Sequence, residues 1–303
     1  MNDKKGKLKI PKDLSHGTLY ICATPIGNLE DASFRLIKTL KTVDLILSED
    51  TRTTRKLLSR FEIKNAKLES FHDNTSEDKV NAVIKRLESG FNIALVSESG
   101  MPLISDPGYK LVKICQERNI NLTVIPGPNA AISALVLSGL ATDNFLFIGF
   151  LPKTEVKIKK KLEEIKNLPF TIIFYESPNR VEKLLKILFE ILGDRQVCLA
   201  RELTKIYEEC IRGSISEVLR ILQERASKEV KLKGEIVICV SGAVNLDNIK
   251  IQEFNNLEIE NELRDFVKQG LNKKEIFKII LNKYKINRHD LYDIFVKVNK
   301  NKI

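Results

Sequence analysis

Hydrophobic and polar positions alternate in blocks along the first half of this chain. Short apolar runs such as Leu19–Cys22 and Ile93–Val96 are followed by segments in which apolar residues recur every three or four positions, as in Lys79–Glu88. The short runs are typical of buried strands, and the longer spacing is typical of amphipathic helices. Regular alternation of the two predicts an α/β fold with a largely parallel sheet.

The same pattern locates the individual elements. We predict strands at 19–22, 43–48, 68–71, 93–96, 122–125, 171–175, 196–200 and 235–240, and residues 145–151 begin a second unit. We predict helices at 35–40, 54–61, 79–88, 109–117, 181–192 and 215–225, and a lysine-rich helix after Pro152. The domains expected are therefore a mobile lead-in at 1–16, an N-terminal α/β domain at 17–144 and a second α/β domain at 145–244.

The remainder of the chain differs in pattern. Residues 245–257 are polar and predict a boundary, and residues 258–303 predict a C-terminal helical appendage with helices at 260–268, 273–284 and 288–298. Asn287 is a candidate N-cap for the last helix. Two interpretations stay open: a small nucleic-acid-binding unit with basic flanks, or a helical bundle that packs on the second domain.

Charge and composition narrow the cellular context. The chain has 50 Lys and Arg against 40 Asp and Glu, a net charge of +10, which favours an anionic partner such as nucleic acid, although a lysine-rich proteome gives the same excess. Five cysteines form no CxxC pair and three histidines are scattered, so we expect no disulfide frame and no metal site. No apolar stretch is long enough to cross a bilayer. We expect a soluble, cytoplasmic protein with no membrane partner.

Three loops rich in proline and glycine follow predicted strands, at Ala23–Asn28, Ser97–Gly108 and Pro126–Ala131. Open α/β sheets bind their ligands at the carboxyl ends of the strands, so these loops predict a small-molecule pocket. The chain has no GxGxxG, GxxxxGK, GxSxG or HExxH motif, which removes the usual support for dehydrogenases, P-loop NTPases, esterases and zinc proteases. A weakly charged cofactor suits such loops better than a pyrophosphate does.

Six segments carry a resemblance to a known family: residues 19–31, 48–52, 105–108, 126–130, 174–180 and 200–205. Together they resemble the ribosomal RNA small subunit methyltransferase I family, a branch of the tetrapyrrole-methylase-like methyltransferases. The resemblance extends over about residues 17–242. It implies two α/β domains of the tetrapyrrole methylase type, with S-adenosyl-L-methionine (AdoMet) in the cleft between them.

The resemblance also implies an activity and partners. Members transfer a methyl group to the ribose 2′-hydroxyl of a cytidine in the decoding region of 16S rRNA, so the expected partner is 16S rRNA or the small ribosomal subunit, not DNA. A homodimer is expected as well. The family's AdoMet contacts correspond here to Pro25, Ile26, Ser99, Gly100, Met101, Ile104, Asn129, Ala130, Glu176, Leu203 and Glu235.

The ribose hydroxyl has to lose a proton, so a general base should lie within hydrogen-bond reach of it. The candidates are loop residues that titrate, and we leave the choice among them open: His72, Asp106, Glu176 and Glu202, with Glu49 and Asp50 also on loops. Cations near the same loops either grip RNA phosphate or form surface ion pairs; they are Arg52, Arg55, Arg180, Arg201 and Lys205.

Two other functions stay open at this point. A methyltransferase of the same fold could act on a tetrapyrrole or another small molecule, and a non-catalytic RNA-binding assembly factor could retain the fold. The basic charge and the helical C-terminal region favour RNA over a tetrapyrrole. Binding of AdoMet distinguishes the enzymes from the assembly factor.

Overall fold

The computed structural model describes residues 16–64, 66–229, 232–243, 246–284, 286 and 288–300. The expected lead-in, apart from His16, lies outside these residues, and so does the candidate N-cap Asn287. The chain forms two compact units, one ending at Gly242 and the other beginning at Ala243.

The first unit begins with a five-stranded sheet in the order β3-β2-β4-β1-β5, and every pair in it is parallel. Its strands β2 and β4 are buried at every position, as expected for central strands covered on both faces. The elements in chain order are β1 (Thr18–Cys22), α1 (Phe34–Thr42), β2 (Leu45–Ser48), α2 (Thr51–Arg60), β3 (Leu68–Ser70), α3 (Glu77–Glu88), β4 (Ile93–Val96), α4 (Tyr109–Glu117) and β5 (Asn121–Ile125).

A second five-stranded sheet in the same unit has the order β6-β7-β10-β8-β9. Its elements in chain order, after a helix α5 (Ala130–Ser138), are β6 (Phe145–Phe150), α6 (Glu155–Ile165), β7 (Thr171–Glu176), α7 (Pro178–Leu192), β8 (Gln196–Arg201), β9 (Glu209–Ser214), α8 (Ile215–Ser227) and β10 (Ile236–Val240). This sheet is mixed: β6 and β7 are parallel, whereas the other three pairs are antiparallel.

The largely parallel sheet expected from the first half of the chain is confirmed by the first sheet, whereas the second sheet is mixed. Strands β8 and β9 are joined by residues 202–208, a connection too short for the crossover that a parallel pair needs. Strand β9 itself was not predicted, because its sequence contains Glu209, Arg212 and Gly213 and it is only partly buried at the edge of the sheet. Edge strands lack the apolar signature of central ones.

Helix α5 connects the two sheets. Its sequence is apolar on all sides, so it lacks the polar outer face of an ordinary surface helix. Ala131, Ala134 and Leu135 pack with Ile26 from the first loop and with buried residues of β7, β8 and β10, forming one continuous cluster. Sequence reasoning assigned only the start of this segment, as the end of a Pro/Gly loop.

The second unit consists of three helices, α9 (Leu246–Lys268), α10 (Lys273–Lys283) and α11 (Arg288–Lys300). The polar segment 245–257, expected as a boundary, instead falls largely within α9. The three helices share an apolar cluster that includes Leu263, Ile280 and Leu291, each fully buried. Within the described residues, no helix is both long enough and apolar enough to cross a membrane.

Candidate functional site

The loops that follow β1 and β4 are bonded to each other. Thr24 and Gly100 exchange two backbone hydrogen bonds, with N···O distances of 2.9 and 3.1 Å. The Ser97 hydroxyl donates to the Gly100 carbonyl at 2.6 Å, and the Thr24 hydroxyl donates to the Ser97 carbonyl at 3.3 Å. These buried polar groups are therefore satisfied by each other, and they hold the two loops in one fixed arrangement.

The second of these loops has a strained backbone. Gly100, Leu103 and Ser105 have φ angles of +83°, +72° and +64°. Positive φ is uncommon for residues other than glycine and is unfavourable for a branched side chain such as leucine. Such strain persists where surrounding structure imposes it, and it concentrates at functional sites.

A cavity of about 450 Å³ opens above the cluster that joins the two sheets. It is within the usual size range for small-molecule sites. Its walls come from the loops after β1, β4 and β5, from the end of β7 and from the start of β10. The lining residues are Ile26, Glu98, Ser99, Gly100, Met101, Ile104, Ser105, Asp106, Asn129, Ala130, Phe150, Tyr175, Glu176, Ser177, Pro178, Gly234, Glu235, Ile236 and Val237.

The charge of this lining has one sign. Four carboxylates contribute to it, from Glu98, Asp106, Glu176 and Glu235, whereas none of the lining residues in the described part of the chain is a lysine or arginine. A phosphate would be repelled by such a surface, and a cation would be attracted. The lining therefore suits a ligand that carries positive charge.

Glu176 lies at the end of β7 and is 3% exposed. Its Oε1 accepts a hydrogen bond of 2.8 Å from the Ser177 backbone N–H. Its Oε2 lies 3.3 Å from an Arg180 nitrogen, but accepts no hydrogen bond within the structure. A buried carboxylate oxygen in this state is unfavourable, and a donor on a bound ligand would satisfy it.

Among the titratable groups that line the cavity, Asp106 has the pKa that its environment shifts most. Burial, and after it the neighbouring carboxylates of Glu49, Glu98 and Asp73, together raise the pKa of this carboxyl to about 7. A carboxyl group with a pKa near neutral pH is matched to proton transfer.

Tyr175 forms the aromatic part of the wall. Its ring packs edge-on against Phe147 and Phe150, with centroid distances of 5.1 and 5.5 Å. Burial raises the pKa of the phenol, and a hydrogen bond from the Ala131 backbone N–H partly opposes that rise. Phe150 is 62% exposed, so one aromatic face at the rim of the cavity is accessible to a ligand.

The loop at 202–208 is fixed beside the cavity by a set of ionic contacts. Lys205 Nζ lies 2.9 Å from Glu202 Oε1 and 3.2 Å from Glu235 Oε2. The Glu235 N–H also donates to Glu202 Oε1 at 3.0 Å. Gly234 allows this packing, because a Cβ there would lie 2.4 Å from the Glu202 carboxyl.

Most residues expected to contact AdoMet meet at the cavity. Of the eleven, nine line it: Ile26, Ser99, Gly100, Met101, Ile104, Asn129, Ala130, Glu176 and Glu235. Pro25 lines an adjoining cavity of about 280 Å³ together with Thr53 and Lys56. Leu203 is 6% exposed and packs in the core beneath the site, in the same cluster as Ile26.

The four candidate bases are placed differently. Asp106 and Glu176 line the cavity. His72 is exposed in the turn after β3, where its backbone N–H donates to the Thr75 hydroxyl at 2.8 Å. The hydrogen bond from Lys205 lowers the pKa of Glu202, which makes that carboxylate a weaker proton acceptor.

The five cations expected to grip RNA also differ. Arg52 pairs with Asp50, Arg180 with Glu176, and Lys205 with Glu202 and Glu235. Arg201 pairs with Glu209 at 3.2 Å. Among the described residues, Arg55 is the one of the five that is exposed and has no recorded partner.

Sequence reasoning missed the part of the wall that strands and their ends provide. Phe150, Gly234, Ile236 and Val237 line the cavity, but none belongs to a Pro/Gly loop. Register accounts for the last two, since β10 pairs antiparallel with β7 and brings Ile236 opposite Glu176. A usable signal was the position of Glu235 at the start of a fully buried strand.

Comparison with known proteins identifies close sequence relatives. The family model for Tetrapyrrole (Corrin/Porphyrin) Methylases matches residues 18–219. The chain is 43% identical over 281 residues to the ribosomal RNA small subunit methyltransferase I of Halalkalibacterium halodurans, covering 92% of this chain and 94% of that protein.

Solved structures with lower identity share the fold. The methyltransferase CobJ aligns with a TM-score of 0.55 at 17% identity, over 75% of this chain and 95% of its own. The uroporphyrin-III C-methyl transferase from Thermus thermophilus, complexed with S-adenyl homocysteine, aligns with a TM-score of 0.50 at 16% identity, over 74% of this chain and 97% of its own. At these identities the likeness establishes the architecture of the first unit.

Proposed function

Because this chain belongs to the tetrapyrrole (corrin/porphyrin) methylase family, and within it to the ribosomal RNA small subunit methyltransferase I group, we propose that it methylates a ribose 2′-hydroxyl of 16S rRNA. It is an AdoMet-dependent methyltransferase. The single structural observation that supports the assignment best is the cavity at the strand ends, whose charged lining residues are all acidic.

The residues of this cavity fit AdoMet on three grounds. The donor is a sulfonium cation, and the four carboxylates of the lining favour positive charge. Glu176 Oε2 is buried without a hydrogen-bond donor, as expected for an acceptor that a ligand amino or hydroxyl group satisfies. Gly100 lines the cavity without a side chain, and even a Cβ at this position would come within 3.3 Å of Ile26 Cγ2, which also lines it.

The chain's own contribution to the reaction begins with positioning. Bound AdoMet supplies an electrophilic methyl group. The bonded loops around Thr24, Ser97 and Gly100 hold the donor side of the site rigid, so little freedom has to be lost when the acceptor oxygen arrives. Orientation of this kind contributes up to about 7–11 kcal/mol to catalysis in well-aligned systems.

We assign proton removal to Asp106. Its carboxylate lies in the cavity wall, and its raised pKa gives it affinity for a proton at neutral pH. It accepts the proton of the ribose hydroxyl as that oxygen gains the methyl group. His72 and Glu202 are weaker alternatives, because His72 does not line the cavity and Glu202 is engaged by Lys205.

The proposal extends to the finer identity of the acceptor. A cytidine in the decoding region is the expected nucleotide, and irregular RNA of that kind can present a splayed ribose to a cleft, whereas a duplex cannot. Arg55 on α2 has no ion pair within the described residues and precedes Lys56, which lines the adjoining cavity, so we assign Arg55 a phosphate contact.

A homodimer is also part of the proposal. The outer face of α5 leaves Ile132, Val136 and Leu137 exposed, with Val136 at 70%. Val124 on the adjacent edge strand β5 is 49% exposed. Exposed apolar side chains on one helix face are typical of a surface that a second copy covers.

The experiment that tests the function uses small ribosomal subunits from a strain that lacks this gene. The purified protein is incubated with methyl-labelled AdoMet and these subunits, free 16S rRNA or a precorrin-type tetrapyrrole. We expect label in 16S rRNA, at one cytidine ribose after nuclease mapping. Label in the tetrapyrrole with none in either RNA would replace this proposal by the small-molecule reading, and RNA binding without AdoMet binding would favour an assembly factor.

A further inference from the structure

A concave surface of the second unit carries cations and aromatic rings that the proposed reaction does not use. It has a volume of about 590 Å³ and is formed by the first turns of α10 and α11. We call it the α10–α11 surface. Its lining residues are Lys273, Lys274, Phe277, Arg288, His289 and Tyr292.

The aromatic part of this surface is ordered by a cation. Lys273 Nζ lies 4.2 Å from the centroid of the Tyr292 ring and 5.5 Å from that of Phe277. Phe277 in turn packs edge-on against Phe295 at 5.6 Å. Phe277 is buried in the core of the unit, whereas Tyr292 is 45% exposed. The Tyr292 ring is therefore held in place and still accessible to a flat ligand.

Charge is segregated within the unit. Two acidic residues of α9 pair with cations from the other helices: Glu262 with Lys283 and Glu260 with Lys297. Within the described residues, neither Lys274 nor Arg288 pairs with a carboxylate. Residues 273–303 contain nine Lys and Arg against three acidic residues. The α10–α11 surface therefore presents positive charge that no internal partner neutralises.

Other basic segments differ in degree. On the lysine-rich helix α6, Lys159 pairs with Glu155 and Glu190, and Lys161 pairs with Glu164, whereas Lys157 and Lys160 have no ion pair within the described residues and no aromatic ring is placed beside them. Four of the five cations near the catalytic cavity are also paired. The cavity itself is acidic, so it cannot supply the electrostatic attraction that an RNA substrate requires.

We propose that the α10–α11 surface binds an unpaired RNA strand, with Lys274 and Arg288 contacting backbone phosphates and Tyr292 stacking on a base. Free cations beside an accessible, fixed aromatic ring are the recurring means of holding single-stranded nucleic acid. Unpaired rather than duplex RNA is favoured because a base has to leave its helix to stack on the ring. The inference takes from the proposed function only that the partner is RNA.

The charge component is tested with the full-length chain and a short fluorescein-labelled RNA without secondary structure, followed by anisotropy over a range of salt concentrations. For the double variant Lys274→Glu, Arg288→Glu we expect the Kd to rise about tenfold or more. The slope of log K against log salt should fall by about 1.4, as expected for two lost contacts to a single strand. The matched control is Lys161→Glu, Lys186→Glu, which makes the same change in net charge on α6 and α7 and should leave the slope unchanged.

The stacking component is tested by two variants at one position. Tyr292→Ala should raise the Kd about tenfold, whereas Tyr292→Phe retains the ring and should bind as the wild type does. Tyr292, Lys274 and Arg288 are all exposed, so these variants should fold, and circular dichroism checks this. Equal binding by Tyr292→Ala and the wild type would overturn the stacking contact.

Two results would overturn the proposal as a whole. One is a wild-type Kd and salt slope in the double variant. The other is equal displacement of the RNA by a poly-glutamate peptide, because the surface would then be a site for acidic protein. Failure of the proposed function is distinguishable: it appears as absence of methyl transfer to 16S rRNA by the wild type, while RNA binding through this surface persists. If both hold, the double variant should raise the KM for small subunits and leave kcat and the Kd for AdoMet unchanged.

Discussion

At the scale of single residues, the AdoMet pocket depends on a residue without a side chain at position 100. Gly100 has a φ of +83° and is buried against Ile26 and the Pro128 carbonyl. A larger residue there would be strained by the left-handed backbone, which lowers the stability of the fold. It would also occupy the space that the ligand needs, which lowers binding. A control variant with the same backbone strain away from the ligand separates the two effects.

We predict that Gly100→Arg abolishes AdoMet binding, with a rise in Kd of at least about 100-fold, because the side chain fills the cavity. Gly90→Arg is the control: Gly90 has a φ of +91°, and a Cβ there meets nothing within 4 Å. Both variants carry a similar backbone strain, about 1–2 kcal/mol. Isothermal titration with AdoMet distinguishes them, and an unchanged affinity in Gly100→Arg would place the donor elsewhere.

Asp106 gives a prediction about pH. Because its folded pKa of about 7 exceeds the unfolded value of 3.8, the folded state holds this proton more tightly and loses stability as pH rises between those values. The carboxylate form is needed to accept a proton, so kcat/KM should rise with pH through about 7. Asp106→Asn should abolish turnover, bind AdoMet, and unfold with a free energy about 1 kcal/mol higher than wild type at pH 8, a figure reduced for solvent screening.

The measurements for Asp106 are a pH–rate profile and denaturant unfolding at pH 5 and pH 8. The stabilising effect of Asp106→Asn should be smaller at pH 5 than at pH 8, because the penalty for ionising the native carboxyl accumulates between the unfolded pKa of 3.8 and the folded pKa of about 7. Full activity in Asp106→Asn would transfer the role of base to another residue, with Glu176 next in line because it also lines the cavity.

The loops of this site could be predicted because proline and glycine mark turns wherever they occur. The individual contacts at Ser99, Gly100, Met101 and Asn129 came from the resemblance to the family. The raised pKa of Asp106 could not be predicted, since it arises from burial and from carboxylates on its own loop and on two other segments. Such a sum over distant residues has no local signature.

At the scale of elements, the loop 202–208 could either contact RNA or support the AdoMet cavity. Lys205 is among the cations expected near RNA, whereas in the structure it pairs with Glu202 and Glu235 beside the cavity. Glu202 and Thr204 have φ angles of +51° and +65°, so the loop needs external contacts to keep its shape. Removal of the ammonium group separates the two roles.

We predict that Lys205→Met weakens AdoMet binding several-fold and lowers the free energy of unfolding by about 1 kcal/mol, since the lost pairs are partly exposed. The salt slope of RNA binding should stay unchanged. Lys186→Met removes a surface pair with Glu182 and serves as control. A fall of about 0.7 in the salt slope with normal AdoMet affinity would instead assign Lys205 to an RNA phosphate.

Elements also mark where pattern reading failed. The central strands were predictable because they are apolar throughout. Strand β9 was not, because the edge of a sheet tolerates Glu209 and Arg212. Helix α5 lacked the polar face by which helices are recognised, since it is covered by the second sheet on one side and carries exposed Val136 on the other.

At the scale of the whole molecule, the exposed face of α5 makes the proposed dimer testable. We predict that light scattering gives twice the mass of one chain for the wild type, and that Ile132→Asp with Val136→Asp gives the mass of one. Val156→Asp on α6, where the side chain is 79% exposed, should leave the dimer intact. A monomeric wild type at micromolar concentration would end the proposal.

The division into two units leads to a further prediction. The apolar clusters of the first unit and the cluster of the second have no residue in common, so each unit has its own core. Every residue that lines the donor cavity precedes Gly242. The cations of the α10–α11 surface all follow it.

A chain ending at Gly242 should therefore fold and bind AdoMet with the affinity of the full chain. It should lose most of its affinity for unpaired RNA, and its salt slope should fall because the free cations of the α10–α11 surface are gone. Calorimetry and anisotropy on the same preparation measure the two properties. Loss of AdoMet binding in a folded truncated chain would mean that the AdoMet site depends on the C-terminal helices, and retained RNA affinity would mean that contacts of the first unit, such as Arg55, hold the RNA.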